Sequence, residues 1–437
     1  MSREYDELLR ALYSLEAAKG MDFKLERVQE TLRQLGNPHL RYPVIHIAGT
    51  NGKGSVAAMM HAILSATGER VGLYTSPHLV HFTERIRVAD GEIAEDTVVS
   101  LAKEVQAVAS AHEIPLTFFE LVTVMAFLHF ARSAVSVAVV EVGLGGRLDA
   151  TNVVEPAVSV ITGIGMDHQE FLGDSLESIA YEKAGIIKPG RVVVVGRVNE
   201  VARGVISRVA AERGAPMLLA GRDFGWYTTP QGLGFRGPEG EIESLALGLA
   251  GKHQRDNAAL AIMSALAPGS PIRPTEAAIR TGLESVRWPG RLDVVQPHPR
   301  VVLDGAHNPE AVAALVRDLP AVTGRGPVHL LLSVMRDKDW PAMIDLIKPV
   351  VSRVTVTRAL PARAAPPEAL AACFQPQLPV KIVEDPLLAL EHALEGVGPS
   401  ETLLVCGSLF LIGAVYPYFL KRTGRHSVFD PPGTLHP

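Results

Sequence analysis

Short runs of β-branched and aliphatic residues alternate with helix-patterned stretches along almost the whole of this 437-residue chain. In the first half the runs are PVIHIAG at 43–49, RVGLYTS at 70–76, SVAVVEVG at 136–143, AVSVITGIG at 157–165 and RVVVVG at 191–196. Most are apolar on both faces, the pattern of parallel strands covered by helices on either side. Helical patterns at 54–67, 96–112, 118–132 and 175–185 separate them. The alternation predicts an α/β fold with a mostly parallel, doubly wound sheet. At about 220–250 the pattern shifts to glycine turns and short alternating strands, which predicts antiparallel β. A helix near Lys252 and another at 274–287 follow, and Trp288-Pro289-Gly290 breaks the pattern. A second α/β series then begins: RLDVV, RVVLDGA, VHLLLSV, RVTVT, VKIVED and TLLVCGS, each expected to lead into a helix. The expected domains are therefore 1–290 and 291–437.

Composition narrows the function. Hydrophobic residues make up 47% and charged residues 20%, which is ordinary globular usage and argues against disorder or coiled coil. A net charge of −5 with no basic run lacks the footprint of a nucleic-acid binder. The longest apolar run, Leu409 to Leu420, is broken by Pro417 and falls short of the ~20 residues of a membrane span. It reads as a buried helix, and no membrane partner is expected. Cys373 and Cys406 show no CxxC spacing, which disfavours a disulfide framework or structural zinc and fits a reducing cytoplasm.

The sharpest local feature is His46-Ile47-Ala48-Gly49-Thr50-Asn51-Gly52-Lys53-Gly54-Ser55, between an apolar strand and a helix. Its glycines let backbone N–H groups turn inward on a phosphate, and the helix N-terminus adds partial positive charge. Lys53 would lie along the β- and γ-phosphates, and the Ser55 hydroxyl would reach Mg²⁺ or a phosphate oxygen. The usual G-x-x-x-x-G-K-[ST] form is not met, because the first glycine is too close and Gly54 separates Lys53 from Ser55. A glycine-rich turn without a ligand is the alternative.

Further candidates follow other strands. Glu141 ends an apolar run, where ligands of open α/β sheets bind, and a buried carboxylate there needs a metal or a partner. The plain alternative is an ion pair with Arg147. His168, in Gly165-Met166-Asp167-His168-Gln169, reads as a ligand or as a hydrogen-bonded structural residue. Ser76 offers a hydroxyl to magnesium or merely starts a Ser-Pro turn. Lys183, taken alone, reads better as a surface lysine.

Taken together, GTNGKGS, TSPHL, FTERI, VEVGLGGRLDATN, MDHQ, EKAGIIK, HQRDNA, WPGRL, DGAHN and CGSLFLIG run in that order along nearly the whole chain. They resemble the folylpolyglutamate and dihydrofolate synthase family of the Mur-ligase superfamily, whose members form amides at the expense of ATP. The resemblance implies an N-terminal P-loop ATPase domain, a C-terminal Rossmann-like α/β domain and an active site in the cleft between them. It implies ATP held by Gly52, Lys53, Gly54, Ser55, Asn257, Arg291 and Asp304. Two Mg²⁺ ions are implied, with Ser76, Glu141, His168 and Lys183 as ligands and carbon dioxide carried by Lys183 as a carbamate. Catalysis then falls to Lys53, Lys183, His168 and Glu141. Thr117, Phe118, Phe119, Glu120, Leu148, Asp149 and Ala150 lie where the family binds dihydropteroate. Phe118 and Phe119 either stack on a pterin or form helix core. Arg85 pairs with a substrate carboxylate or makes a surface salt bridge, and His307 contacts the nucleotide or the incoming amino acid. The implied activity joins L-glutamate to the carboxylate of folate, and of dihydropteroate, through an acyl phosphate with release of ADP and phosphate, in a monomer. Another Mur-type ligase with a non-folate acceptor, or a catalytically silent nucleotide-binding regulator, are the competing readings.

Overall fold

Valine and isoleucine dominate the inner strands, and burial on both faces is what selects them. The computed structural model describes residues 3–19, 24–89, 91–230, 232–324, 326–360 and 362–430. The chain divides into two compact units. The first comprises Met1–His78, Phe82–Leu247 and Arg255–Val286; the second comprises Leu79–His81, Gly248–Gln254 and Arg287–Pro437.

The first unit is built on eight strands: β1 (Val44–Ala48), β2 (Val71–Tyr74), β3 (Ile86–Val88), β4 (Gly91–Glu92), β5 (Val137–Glu141), β6 (Val158–Ile161), β7 (Val192–Val195) and β8 (Met217–Leu219). Their order is β4-β3-β2-β5-β1-β6-β7-β8. The pairs from β2 through β8 are parallel, while β3 and β4 add an antiparallel edge. Every residue of β1, β2, β5, β6 and β7 is buried, as doubly apolar runs require. Because β1 lies between β5 and β6, the loops leaving these three strands open at one edge of the sheet. That edge is where ligands of open α/β sheets bind. The same unit carries an antiparallel three-stranded sheet, β9 (Gly225–Thr229), β10 (Gly232–Gly237) and β11 (Gly240–Leu245), in the region where the sequence pattern changed.

The second unit holds β12 (Asp293–Pro297), β13 (Arg300–Asp304), β14 (Val328–Leu332), β15 (Arg353–Val356), β16 (Val380–Ile382) and β17 (Thr402–Cys406), in the order β12-β13-β17-β14-β15-β16. All neighbours are parallel except β12 and β13. The expectation that the RLDVV run leads into a helix is therefore wrong. It turns back at once into β13, and so short a connection closes only an antiparallel pair. The apolar run after β17 forms the helix Leu409–Thr423, which buries Leu411, Ile412, Val415, Tyr416, Phe419 and Leu420. Among the described residues no helix is long and apolar enough to cross a membrane. Cys373 and Cys406 are free thiols.

Burial fixes the charge state of several histidines. His46 on β1 and His61 on the helix after it are driven from the ordinary 6.5 down to about 3 by burial, reinforced by Lys188 and Arg87 respectively. His39 and His329 fall to about 4, again chiefly through burial. The unfolded chain therefore takes up protons that the folded chain refuses. The stability these residues contribute is complete above pH 6.5 and is lost as pH falls toward 3. The urea midpoint is expected to decline steadily on acidification from pH 7 to 4. A flat profile over that range would contradict their neutral burial.

Candidate active site

The loop after β1 is held open by contacts that exclude side chains. Gly49 has φ +153° and Gly52 has φ +87°. A Cβ on Gly49 would run into the Thr162 side chain, and one on Gly52 would lie 2.7 Å from the Asn257 Oδ1. The loop is tied to the end of β6: Thr50 N donates to Gly163 O at 2.7 Å, and Thr162 Oγ1 donates to Asn51 O at 2.6 Å. Gly52 then opens the helix Lys53–Ser65, with Ser55 buried in its first turn. Lys53 folds back over the loop, its Nζ donating to Gly49 O at 3.1 Å and Thr50 O at 3.2 Å.

At the neighbouring strand ends, Glu141 is buried and its Oε2 accepts from Ser76 N at 3.3 Å, so these two predicted ligands meet. His168 takes a left-handed backbone (φ 51°) ahead of the short helix Gln169–Leu172, its N–H donating to Asp167 Oδ1. Lys183, on the helix Leu176–Ala184, is not a surface lysine: it is 4% exposed, and its Nζ donates to Gly49 O at 2.9 Å. Burial, reinforced by Lys53 and opposed by Asp167 and Asp149, brings its pKa from 10.5 down to about 7. Arg147 does not pair with Glu141 either. Its Nε and Nη2 donate to Glu182 Oε1 at 3.1 and 2.8 Å. Among the described residues no three His, Cys, Asp or Glu side chains converge as a ready-made metal cluster. A divalent ion here would draw on the Glu141 carboxylate, the Ser76 hydroxyl and phosphate or water oxygens. That hard, oxygen-rich set suits magnesium.

The predicted acceptor segment splits by role. Thr117 and Glu120 form a capping box on the helix Phe118–Arg132. Glu120 Oε2 accepts from Thr117 N at 2.7 Å, while Oε1 accepts from Arg27 Nε and Nη2 at 3.0 and 2.7 Å. Phe118 is buried in the hydrophobic core, which favours the helix-core reading for that ring. Phe119 is only partly buried and packs on Gly143, where a Cβ would meet its ring. Asp149 is buried, Oδ1 accepting from Thr151 N and Oγ1 and Oδ2 from Leu144 N. Leu148 beside it is exposed, and Ala150 is buried. Arg85 is buried, not on the surface; its Nε donates to His78 Nδ1 at 2.8 Å, and its guanidinium lies 5.3 Å from the Phe118 ring centre.

In the second unit, Asp304 ends β13. Its oxygens accept from Leu292 N and Ala306 N at 2.8 Å each, and burial raises its pKa against the opposing pull of Arg291. His307 Nδ1 lies 2.8 Å from Gly305 O. Sequence reasoning passed over Arg27 and Thr162. Arg27 is 93 residues from its partner, and no local pattern links them. Thr162 follows β6 directly, so its place beside the loop was open to inference.

Arg27→Ala would leave Glu120 buried without its cation. A loss of about 3–5 kcal/mol in unfolding free energy is expected, measured by urea titration. A loss under about 1 kcal/mol would show that the pair is solvated in solution.

Residues 47–265 match the Mur ligase middle domain, and residues 290–409 match the Mur ligase glutamate ligase domain. The folylpolyglutamate synthase of Lacticaseibacillus casei is 35% identical over 407 residues, spanning 89% of this chain and 92% of the relative. The structure of Escherichia coli FolC in complex with DHPP and ADP is similar at a TM-score of 0.88 and 35% identity, over 95% of this chain and 98% of that one. The bifunctional folylpolyglutamate synthase/dihydrofolate synthase of Yersinia pestis, complexed with AMPPNP and Mn ion, has a TM-score of 0.86 at 31% identity, over 95% and 97%. With a glycine-rich loop after β1, a buried carboxylate at the end of β5 and these relatives along its length, the chain belongs to the folylpolyglutamate synthase/dihydrofolate synthase family of Mur ligases.

Proposed function

We propose that this protein is an ATP-dependent ligase that joins L-glutamate to the carboxylate of folates, and also to that of dihydropteroate. One observation carries the reading: the phosphate loop, Glu141 and the buried Lys183 are assembled in a chain similar to such synthases over about nine-tenths of its length.

A carboxylate does not condense with an amine at neutral pH, because oxide is too poor a leaving group. The acceptor carboxylate oxygen instead attacks the γ-phosphorus in line, and the bridging oxygen leaves with ADP. The glutamate amine then attacks the acyl carbon, gives up a proton, and phosphate departs with the electron pair of the broken C–O bond. The loop N–H groups and Lys53 hold the terminal phosphates and stabilise the charge that develops there. Ser76 and Glu141 would hold one divalent ion, which supplies charge neutralisation on phosphate oxygens when bound. We assign Lys183 the role of a carbamate: its neutral amine adds to carbon dioxide, forming an N–C bond and releasing a proton, and the resulting anion, with His168, would hold a second ion. Burial favours the neutral amine this step requires. Asn257, Arg291 and Asp304 are the proposed nucleotide contacts, and His307 faces the nucleotide or the amino acid. Phe119 and Leu148 present the surface for the acceptor, with Ala150 buried behind them and Arg85 for a carboxylate of it. The protein acts as a monomer.

The deciding experiment is glutamate-dependent ADP release, with dihydropteroate and tetrahydrofolate offered separately. Turnover with both supports the reading, and turnover with neither overturns it. Lys53→Ala is expected to lower kcat by about 10²-fold or more. Near-normal turnover would refute its place on the phosphates. Lys183→Ala is expected to cripple ligation, with partial recovery on adding acetate or another short carboxylate. Full activity without such additions would exclude the carbamate.

A further inference from the structure

The loop between β5 and β6 and the end of the Lys183 helix are joined side chain to backbone and backbone to backbone. Arg147 N donates to Glu182 O at 2.8 Å. The two chains run so close that a Cβ on Gly185 would lie 2.5 Å from Arg147 Cα. The Arg147–Glu182 ion pair lies across this seam, but the arginine side chain is 41% exposed, and such pairs contribute little. The buried link is Asn152, 7% exposed, whose Nδ2 donates to Arg147 O at 2.9 Å and to Gly185 O at 3.3 Å. Both partners are carbonyl oxygens, so the amide orientation is fixed by chemistry. Its Oδ1 is buried without a protein hydrogen bond. The backbone of Asn152 is anchored in turn, its carbonyl accepting from Lys188 Nζ at 3.0 Å.

The two carbonyls belong to informative neighbours. Arg147 immediately precedes Leu148, Asp149 and Ala150, and Gly185 lies two residues beyond Lys183. We propose that Asn152 is a positioning residue for ligation: its amide pins the loop that carries the acceptor contacts to the end of the helix that carries Lys183. The inference rests on the proposed roles of those two segments. The acceptor carboxylate must meet the γ-phosphate in register with Lys183, and a shift of about 1 Å at a reacting centre costs about 10²-fold in rate. Asn152 touches neither the phosphate loop nor any proposed nucleotide contact through a hydrogen bond of its side chain. Its removal should therefore be felt by the acceptor and not by the nucleotide.

Asn152→Asp is the sharpest test. It keeps the shape, removes both donors and turns a carboxylate toward two carbonyl oxygens. The full chain is assayed for steady-state ligation with dihydropteroate and with tetrahydrofolate, and ADP binding is measured by calorimetry. The expected result is a rise of about tenfold or more in acceptor KM and a lowered kcat, with the ADP Kd changed by no more than about twofold. Asn152→Ser keeps one donor and should show the same split at smaller amplitude, which covers the case where the aspartate variant does not fold. Unchanged acceptor KM and kcat in a folded variant would overturn the pin, as would parallel losses of acceptor and ADP binding. A wild-type chain that releases no ADP with either acceptor would instead overturn the functional reading on which the pin stands.

Discussion

The carbonyl oxygen of Gly49 accepts from two lysines, Lys183 at 2.9 Å and Lys53 at 3.1 Å. Two ammonium groups on one oxygen repel each other, and Lys183 is also cut off from water. It is therefore the group whose charge is destabilised, with burial the larger cause and Lys53 the smaller. The arrangement concentrates positive charge at the tip of β1, beside the N-terminus of a helix. A site built this way favours anions such as the phosphates of a nucleotide.

That concentration is a consequence of strand order. With β1 between β5 and β6, the residues following all three strands meet around one loop. Thr162 after β6 braces Asn51, Glu141 at the end of β5 receives the N–H of Ser76 from beyond β2, and Lys183 reaches Gly49 from the helix after β6. None of these contacts is local in sequence. Each follows from parallel strands in one register, which carry residues tens of positions apart to the same edge.

The features legible in the sequence are those whose cause lies within a few residues. The strand–loop–helix around Gly52 could be read because glycine, lysine and an apolar strand act over ten positions. The doubly buried strands could be read because burial on both faces shows in composition. What escaped was partner choice. Glu141 and Arg147 lie six positions apart, and an ion pair between them was a fair expectation. The fold gives Arg147 to Glu182, because the loop turns its side chain toward the helix Leu176–Ala184. Arg27 and Glu120 illustrate the same limit. The β12–β13 hairpin escaped for a different reason, since an apolar run shows that a strand exists but not which way its neighbour runs.

The segment proposed to meet the acceptor has its polar side chains already engaged by the fold. Thr117, Glu120 and Asp149 are polar and buried, which makes them attractive as ligand contacts. Yet the oxygens of both carboxylates already accept from protein donors: Glu120 from Thr117 N and Arg27, Asp149 from Leu144 N and Thr151. A ligand that displaced one of these bonds would have to replace it, since an unmet buried donor costs about 1–3 kcal/mol. What the segment leaves uncovered is mostly apolar: the partly buried ring of Phe119 and the exposed side chain of Leu148. Under the proposed function, affinity for a flat heterocycle would come from that surface, and orientation from the few polar groups held rigid behind it. Rigid polar groups keep their geometry because their bonds to the backbone are already made. The commitment of Glu120 and Asp149 to the fold is thus compatible with a part in recognition, provided that the part is to shape the pocket rather than to reach into it.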